Sequence, residues 1–396
     1  MLNKKSIAGM DVKGKTVLLR VDFNVPLDEG KIRDDTCIRI ALSTIEYLIS
    51  KGAKIVVATH LGRPKGRVIP ELKLDPVSRR LSELLGQPVQ KLDQVVGDIV
   101  IQTLSELDSG EVLMLENLRF EKGEEANDPD FARLLAEPCD LFVNDAFGTA
   151  HRAHASTVGV ASYIPAVAGL LMNEEITALS RSINNPLHPF TAILGGAKIS
   201  DKINVIRRFI NLADHIVVGG GMANTFLAAK GYSLGSSLYE KDLREEASAL
   251  LRESKESSCQ IVLPVDLVVT KEIKSNSYFE IKKPEQVIND WKAVDIGPET
   301  AAFFKGIIAD SALIVWNGPL GVFEVPPFDR GTKLAAQAVA HSKAYSIAGG
   351  GDLVAALEGL NFSEHISFIS TGGGATLEFW EGKTLPGIAV LLDKDE

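Results

Sequence analysis

The stretch ISFISTGGGATLEFWEG, residues 366–382, is an apolar run, three glycines (Gly372, Gly373 and Gly374) and then a helical pattern from Ala375 to Trp380. Glycine costs backbone entropy. A run of three therefore marks a sharp turn, or a place where something lies against bare N–H groups at a helix start. The pattern recurs: LGGAK, GGGMAN, WNGPLG and GGGDL each close an apolar run in the second half of the chain. Those runs are FTAILGG, HIVVGGG, QIVLPVDLVV, ALIVWNG, AYSIAGGG and HISFISTGGG, and the first half has TVLLRVDFNV, KIVVATHL, EVLMLENL and DLFVNDAF. They are continuously apolar, not alternating, as strands buried on both faces of a parallel sheet are.

Helical patterns separate many of the runs. DDTCIRIALSTIEYLISKG offers Asp35 or Thr36 as N-cap, an apolar stripe of Ile38, Ala41, Leu42, Ile45, Leu48 and Ile49, and Gly52 as a stop. SDKINVIRRFINLADH predicts a helix capped by Ser200, with Ile203, Ile206 and Ile210 on one face. Strand and helix in alternation specify a doubly wound α/β architecture. Ligands of such sheets gather outside the carboxyl ends of the strands. First-half strands run into Asp22, Asn24, His60, Arg63, Arg119, Asn144 and Asp145, and second-half strands run into glycine. One half is expected to bind with side chains, the other with backbone amides. The boundary falls in a helical segment followed by the breaker cluster NNPLHP, and the apolar tail LPGIAVLLDKDE could pack on either half.

The 396 residues are enough for two domains, and 45% apolar with 24% charged residues is the composition of a globular protein. Cys37, Cys139 and Cys259 form no CxxC pair. Neither a disulfide framework nor a zinc site is indicated. Without an apolar leader or a long apolar span, a cytoplasmic protein with no membrane role is predicted. A net charge of −10 argues against nucleic-acid binding. Yet Arg20, Lys31, Arg33, Arg39, Arg63, Lys65, Arg67, Arg119 and Arg152 all lie in the first half, mostly near strand ends. A locally basic cleft on an acidic protein suits a small polyanion.

GxxxxGK[ST] and a helix-opening GxGxxG are both missing. Lys198 and Lys202 bracket the start of the predicted helix, where a cation costs roughly 0.3–1 kcal/mol; either an anion lies between them or they point to solvent. Asp352 is either a helix cap or a Mg²⁺ ligand beside phosphates. Glu324 is a loop carboxylate or an acceptor for ribose hydroxyls. Asp22 and Asn24 alternate with Phe23, so both face one side, as acceptors for substrate hydroxyls or as turn caps. His60 is a strand-end histidine, three residues from Arg63 in HLGRPKG.

In order, VDFNVPL, THLGRPKG, LENLRF, NDAFGTAHRAHAS, GGAKISDK, GGGMANTF, LPVD, DIGP, VWNGPLGVFE, AGGGD and STGGGATLEFWEG resemble phosphoglycerate kinase over nearly the whole chain. The resemblance implies two Rossmann-like three-layer αβα domains with parallel β-sheets, joined by a helical hinge. Residues 1–172 with the tail 384–396 would form the phosphoglycerate-binding domain, 173–188 the hinge and 189–383 the nucleotide-binding domain. It implies reversible, Mg²⁺-dependent phosphoryl transfer between 1,3-bisphosphoglycerate and ADP, giving 3-phosphoglycerate and ATP in glycolysis, by a monomer that closes when both ligands are bound. Asp22, Phe23, Asn24, His60, Leu61, Gly62, Arg63, Arg119 and Arg152 would hold the phosphoglycerate. Lys202, Asn317, Glu324, Gly350, Gly351, Asp352 and Leu353 would hold the nucleotide, with Asp352 on the metal. Lys198, Gly372 and Gly373 would stabilise the moving phosphoryl group.

The chain departs from the family at DDTCIR, where DDTRIR or a close variant is usual. Cys37 stands in place of the arginine that would touch the transferring phosphoryl, so slow turnover with both ligands bound is expected. Arg39 is two residues on and does not share a helix face with it. Leu353 replaces a usual Thr or Ser, and Ala293 a common glycine. The alternatives are a catalytically weak, nucleotide-binding paralogue with a sensing or interaction role, which Cys37 favours, and a dinucleotide dehydrogenase, which lacks its glycine fingerprint.

Overall fold

The computed structural model describes residues 3–394. They fall into two units: residues up to Thr177 together with those from Thr384 onward, and Ala178–Lys383.

In the first unit the strands are β1 (Thr16–Arg20), the short pair β2 (Leu27–Asp28) and β3 (Lys31–Ile32), β4 (Lys54–Ala58), β5 (Val89–Lys91), β6 (Val112–Met114), β7 (Leu141–Asn144) and β8 (Ala166–Ala168). Six of them form one sheet in the order β5-β6-β4-β1-β7-β8, parallel throughout. Val17, Leu19, Ile55, Val57, Val112, Met114, Leu141 and Val143 supply one core face of this sheet. The helix Thr36–Ser50 buries Ile38, Ala41, Thr44, Ile45 and Leu48 and ends at Lys51, with Gly52 at φ +70° just beyond. Its start differs from expectation. Asp35 occupies the N-cap position without capping, because its carboxylate binds Arg39 and Arg80; Asp34 accepts from the Thr36 amide instead. The C-terminal tail packs on this unit. Leu385, Ile388 and Leu391 are buried, and Gly387 O accepts from Asn144 Nδ2 at 3.0 Å.

The second unit has β9 (Phe190–Leu194), β10 (His215–Val218), β11 (Gln260–Val262), β12 (Leu267–Thr270), β13 (Phe279–Lys282), β14 (Lys292–Ile296), β15 (Leu313–Asn317), β16 (Tyr345–Gly349) and β17 (Phe368–Ser370). The main sheet, β11-β10-β9-β15-β16-β17, is again parallel. The QIVLPVDLVV run is not a single parallel strand. Its first part is edge strand β11, and its second part, past Pro264, is β12 of a separate antiparallel sheet, β13-β12-β14. Proline cannot continue a sheet ladder, and this one separates the two strands. The helix predicted from Ser200 begins at Ile203 and runs to Ile210, burying Val205, Ile206, Phe209 and Ile210. Lys202, not Ser200, holds the N-cap position, and the Ser200 amide donates to Glu240 Oε2 at 3.0 Å. Among the described residues no helix is long and apolar enough to cross a membrane.

Candidate active site

The first unit concentrates buried charge beyond the ends of β1, β4 and β7. Arg20, at the last position of β1, is 1% exposed. Its guanidinium donates to the Val21 carbonyl, to Ser156 Oγ at 2.9 Å and to His60 Nδ1 at 3.2 Å. Arginine has no acceptor, so Nδ1 of His60 accepts and the ring proton sits on Nε2. Burial, followed by Arg20, Arg119, Arg152 and His154, holds the His60 pKa well below its ordinary value. His60 is a neutral donor. Ser156 in turn gives its Oγ–H to Glu124 Oε1 at 2.6 Å, and Glu124 Oε2 accepts from the Ser156 amide. Glu124 is fully buried and carries much of the negative charge that offsets Arg20.

Around this chain lie the residues expected to hold the acid. Asn24 Oδ1 accepts from the Gly62 amide at 2.9 Å, and Arg119 Nη1 donates to the Gly62 carbonyl at 2.7 Å. Gly62 has φ +65°, and a Cβ there would press on Leu72 at 2.9 Å. Arg152 donates from Nε to His151 Nε2 at 3.2 Å. Arg63 is exposed. Phe23 and Leu61 bury their side chains in the core. The two backbone groups of Leu61 are both taken by Asn117, through Oδ1 at 3.1 Å and Nδ2 at 2.8 Å. Among the buried polar atoms with no hydrogen-bond partner in the described residues are Asp22 Oδ1, Arg119 Nη2 and Arg119 Nε, the last lying 3.3 Å from Glu125 Oε1. Asp22 Oδ1 lies 3.7 Å from His60 Nδ1, and both are acceptors. A buried donor and a buried acceptor left open in one basic pocket are what a ligand with an anionic end and a hydroxyl would satisfy.

Cys37 is the second residue of the helix Thr36–Ser50 and is exposed. Desolvation, then Asp22 and Asp34, push its thiol up to about 11, so it stays neutral. Arg39 does not compensate: its Nε is bound to Asp35 at 2.8 Å.

In the second unit a cavity of about 580 Å³ is walled by the glycine loops at Gly196 and Gly220–Gly221, by Leu238, Ala293 and Val294, and by the segment Pro319–Glu324, with Asp352 at its edge. Close backbone contact explains the glycines. Gly220 N donates to Leu320 O at 2.8 Å and Gly196 N to Pro319 O at 2.8 Å. A Cβ at Gly221 would lie 2.6 Å from Ala197 O, and one at Gly195 2.0 Å from Pro319 O. Lys202 sits at the N-cap of the helix Ile203–Ile210, buried, with Nζ donating to Gly195 O at 2.6 Å. Burial lowers its pKa to about 8, against Asp201 and Asp352. It is turned inward, while Lys198 is exposed. Asn317 Nδ2 donates to Gly349 O at 2.6 Å and lies where a Gly350 Cβ would stand, 2.8 Å away. Gly351 and Asp352 open the helix Gly351–Gly359, and the Val354 amide donates to Gly350 O at 3.0 Å. Leu353 turns its side chain into the core, so it can offer a ligand only its amide. Glu324 is exposed at the cavity rim.

The stretch that opens the sequence question closes a short helix, Gly374–Trp380. The Gly372 amide is directed at Ser370 Oγ, 3.3 Å away, and Gly373 has φ +51°. Of the expected pair of amides, then, one is already engaged within the loop.

Asn117, Glu124 and Ser156 were not among the expected site residues. LENLRF contains Asn117, but nothing in its spacing says that it holds a loop 56 residues away.

A basic side-chain pocket on one parallel-sheet unit and a glycine-walled, lysine-bearing cavity on another define the class of two-unit α/β kinases acting on a small anionic substrate. Residues 7–383 match the phosphoglycerate kinase family, and the chain belongs to it. It is similar to the phosphoglycerate kinase of Coxiella burnetii, with 42% identity, 98% of each chain covered and a TM-score of 0.92. To the phosphoglycerate kinase of Pyrococcus horikoshii OT3 the identity is 35%, again with 98% of each chain covered, at a TM-score of 0.83. The protein is a phosphotransferase that uses ATP and ADP as co-substrates.

Proposed function

We propose that the pocket of the first unit binds 3-phosphoglycerate or 1,3-bisphosphoglycerate, and that the cavity of the second binds ADP or ATP. The observation that carries this is the open pair in the basic pocket, Arg119 Nη2 and Asp22 Oδ1. A phosphoglycerate has an anionic end for the arginine and a hydroxyl for the carboxylate. His60, neutral and protonated on Nε2, adds a donor whose protonation does not change near neutral pH. Arg63 and Arg152 complete the anion's surroundings. The backbones of Phe23, Leu61 and Gly62, bonded to Thr59, Asn117, Asn24 and Arg119, hold these side chains in place.

On the nucleotide side the apolar cavity wall takes the base, Glu324 accepts from ribose hydroxyls, and Lys202 with the amides of Gly351, Asp352 and Leu353 takes phosphate. Lys198 and the Gly373 amide stabilise the transferring group, and Gly372, its amide bonded to Ser370 Oγ, shapes the turn. Phosphoryl transfer asks the protein for in-line positioning and charge neutralisation more than for covalent chemistry. Asp352 is a single exposed carboxylate, and no group of three or more potential ligands occurs among the described residues. That fits Mg²⁺, which binds through one or two carboxylates plus waters and phosphate oxygens. When bound it neutralises charge on the nucleotide phosphates. The enzyme acts as a cytoplasmic monomer in glycolysis, slowed by Cys37.

A coupled assay for acyl-phosphate formation from 3-phosphoglycerate and ATP with Mg²⁺ tests the proposal. Turnover should be measurable, and Arg119→Ala should raise the KM for 3-phosphoglycerate at least about tenfold, as loss of a charged hydrogen bond does. The KM for ATP should stay within about twofold of wild type. No turnover, or an equal rise in both KM values, would overturn it.

A further inference from the structure

Behind the nucleotide cavity lies a buried carboxyl that no step above uses. Asp295, in β14, is 3% exposed. Its Oδ1 accepts from the Ile296 amide at 2.8 Å and its Oδ2 from the Gly331 amide at 2.7 Å. Gly331 is the second residue of the helix Arg330–His341. The same carboxyl fits against Gly321 so closely that a Cβ there would lie 2.3 Å from Oδ1. Gly321 belongs to the segment Pro319–Glu324, which forms one cavity wall. That segment is fixed at two further points. The Leu320 amide donates to Thr332 Oγ1 at 3.0 Å, and the Val322 amide to Val294 O at 2.9 Å. Through Pro319 O and Leu320 O it also holds the Gly196 and Gly220 amides.

Strand β14 is irregular here. Against β12, Val268 faces Asp295 and Val269 faces Ala293, leaving Val294 as the extra residue of a bulge. A bulge re-aims side chains and often lies beside a site. This one lets Ala293 and Val294 both line the cavity while Asp295 reaches the back of its wall. Burial raises the Asp295 pKa to about 8, against the two amides; Asp329 adds to the rise and Arg330 opposes it. Its β12 partner, Val268, and residues 318–323 carry no charge.

We propose that Asp295 is a positioning residue for the nucleotide, joining the first turn of the helix Arg330–His341 to β14 and seating Gly321 so that the Pro319–Glu324 wall keeps its shape. The inference rests on the cavity being the nucleotide site. Thr332 acts as its second anchor.

The test is calorimetric titration of the full chain with ADP and, separately, with 3-phosphoglycerate. The titrations are run at pH 9, where Asp295 is a carboxylate, so that Asp295→Asn keeps the shape but replaces one acceptor oxygen by a donor. The Kd for ADP is expected to rise about tenfold, with that for 3-phosphoglycerate unchanged. Thr332→Val, a milder change, is expected to give a smaller rise with the same selectivity, and it serves if Asp295→Asn does not fold. Val322→Trp, which fills the cavity, separates the two levels of the proposal. If it leaves ADP affinity intact, the cavity is not the nucleotide site. If it abolishes binding while every folded anchor variant binds ADP like wild type, or loses both ligands equally, Asp295 does not position the nucleotide.

Discussion

Cys37 puts a neutral thiol beside Asp22 and Asp34 at the start of a helix, where the family resemblance places an arginine. A guanidinium at that point would offset those carboxylates and also face the developing charge on a transferring phosphoryl group. Charge-stabilising arginines are worth about 10³–10⁵ in kcat in phosphoryl transfer. Cys37→Arg is therefore expected to raise kcat by about 10³, the low end of that range, with both KM values nearly unchanged. Steady-state kinetics on the two proteins decide it, and equal kcat values would show that the position is not catalytic here. At this scale the sequence was informative about neighbours at strand ends: Asp22 Oδ1 lies 3.7 Å from His60 Nδ1, and Asn24 and Arg119 both bind the Gly62 backbone. It was silent where a residue's work is to hold distant backbone. Asn117 reaches Leu61 across 56 positions, and Asp295 reaches Gly331 across 36. No local pattern encodes such pairings.

Helix interiors are legible in the sequence, and so are the ends of Thr36–Ser50, with Asp35 at the N-cap position and Gly52 just past the last turn. What a cap's side chain binds depends on tertiary partners: Asp35 is engaged by two arginines, and the second unit's helix starts at Ile203, two residues later than a Ser200 cap would place it. QIVLPVDLVV was misread because apolar continuity does not distinguish one strand from two belonging to different sheets. The start of the helix Leu170–Ser180 offers a test of capping at this scale. The Met172 amide donates to Asp145 Oδ1 at 3.1 Å, and Gly169 packs so near that a Cβ would lie 2.1 Å from the same atom. Asp145 is 1% exposed, and burial raises its pKa to about 6 despite the helix amides. Between the unfolded value near 4 and about 6, the folded state binds the extra proton. The stability that proton linkage confers is thus complete below about pH 4 and is lost as the pH rises through 6. Asp145→Asn, which does not titrate, should gain on wild type by on the order of 2–3 kcal/mol between pH 4 and 7. Urea midpoints of the two proteins across that range measure it. A constant difference would mean that Asp145 ionises as easily as an exposed aspartate.

At the scale of the molecule, the tail is the one segment whose place the residues alone left open. The described tail residues from Thr384 onward group with the first unit. Leu385, Ile388 and Leu391 are 3%, 1% and 2% exposed. Lys4 Nζ donates to Leu391 O at 2.7 Å, the Leu392 amide to Ala166 O at 2.9 Å, and the Gly387 amide to Ala150 O at 2.8 Å. Each buried aliphatic side chain is worth roughly 1.5–3 kcal/mol, so three approach the ~5–15 kcal/mol that holds a whole domain together. Asn144 and Ala150, which the tail binds, lie just before and at the end of the DAFGTA turn that leads to Arg152. A chain ending at Lys383 should therefore lose stability in the first unit alone. Its Kd for 3-phosphoglycerate should rise at least about tenfold while that for ADP stays unchanged, and calorimetry should show one transition moved down and the other in place. A truncated chain that binds both ligands like the full one would mean that the tail's burial is dispensable. Equal loss of both would mean that the two units do not carry their stabilities separately.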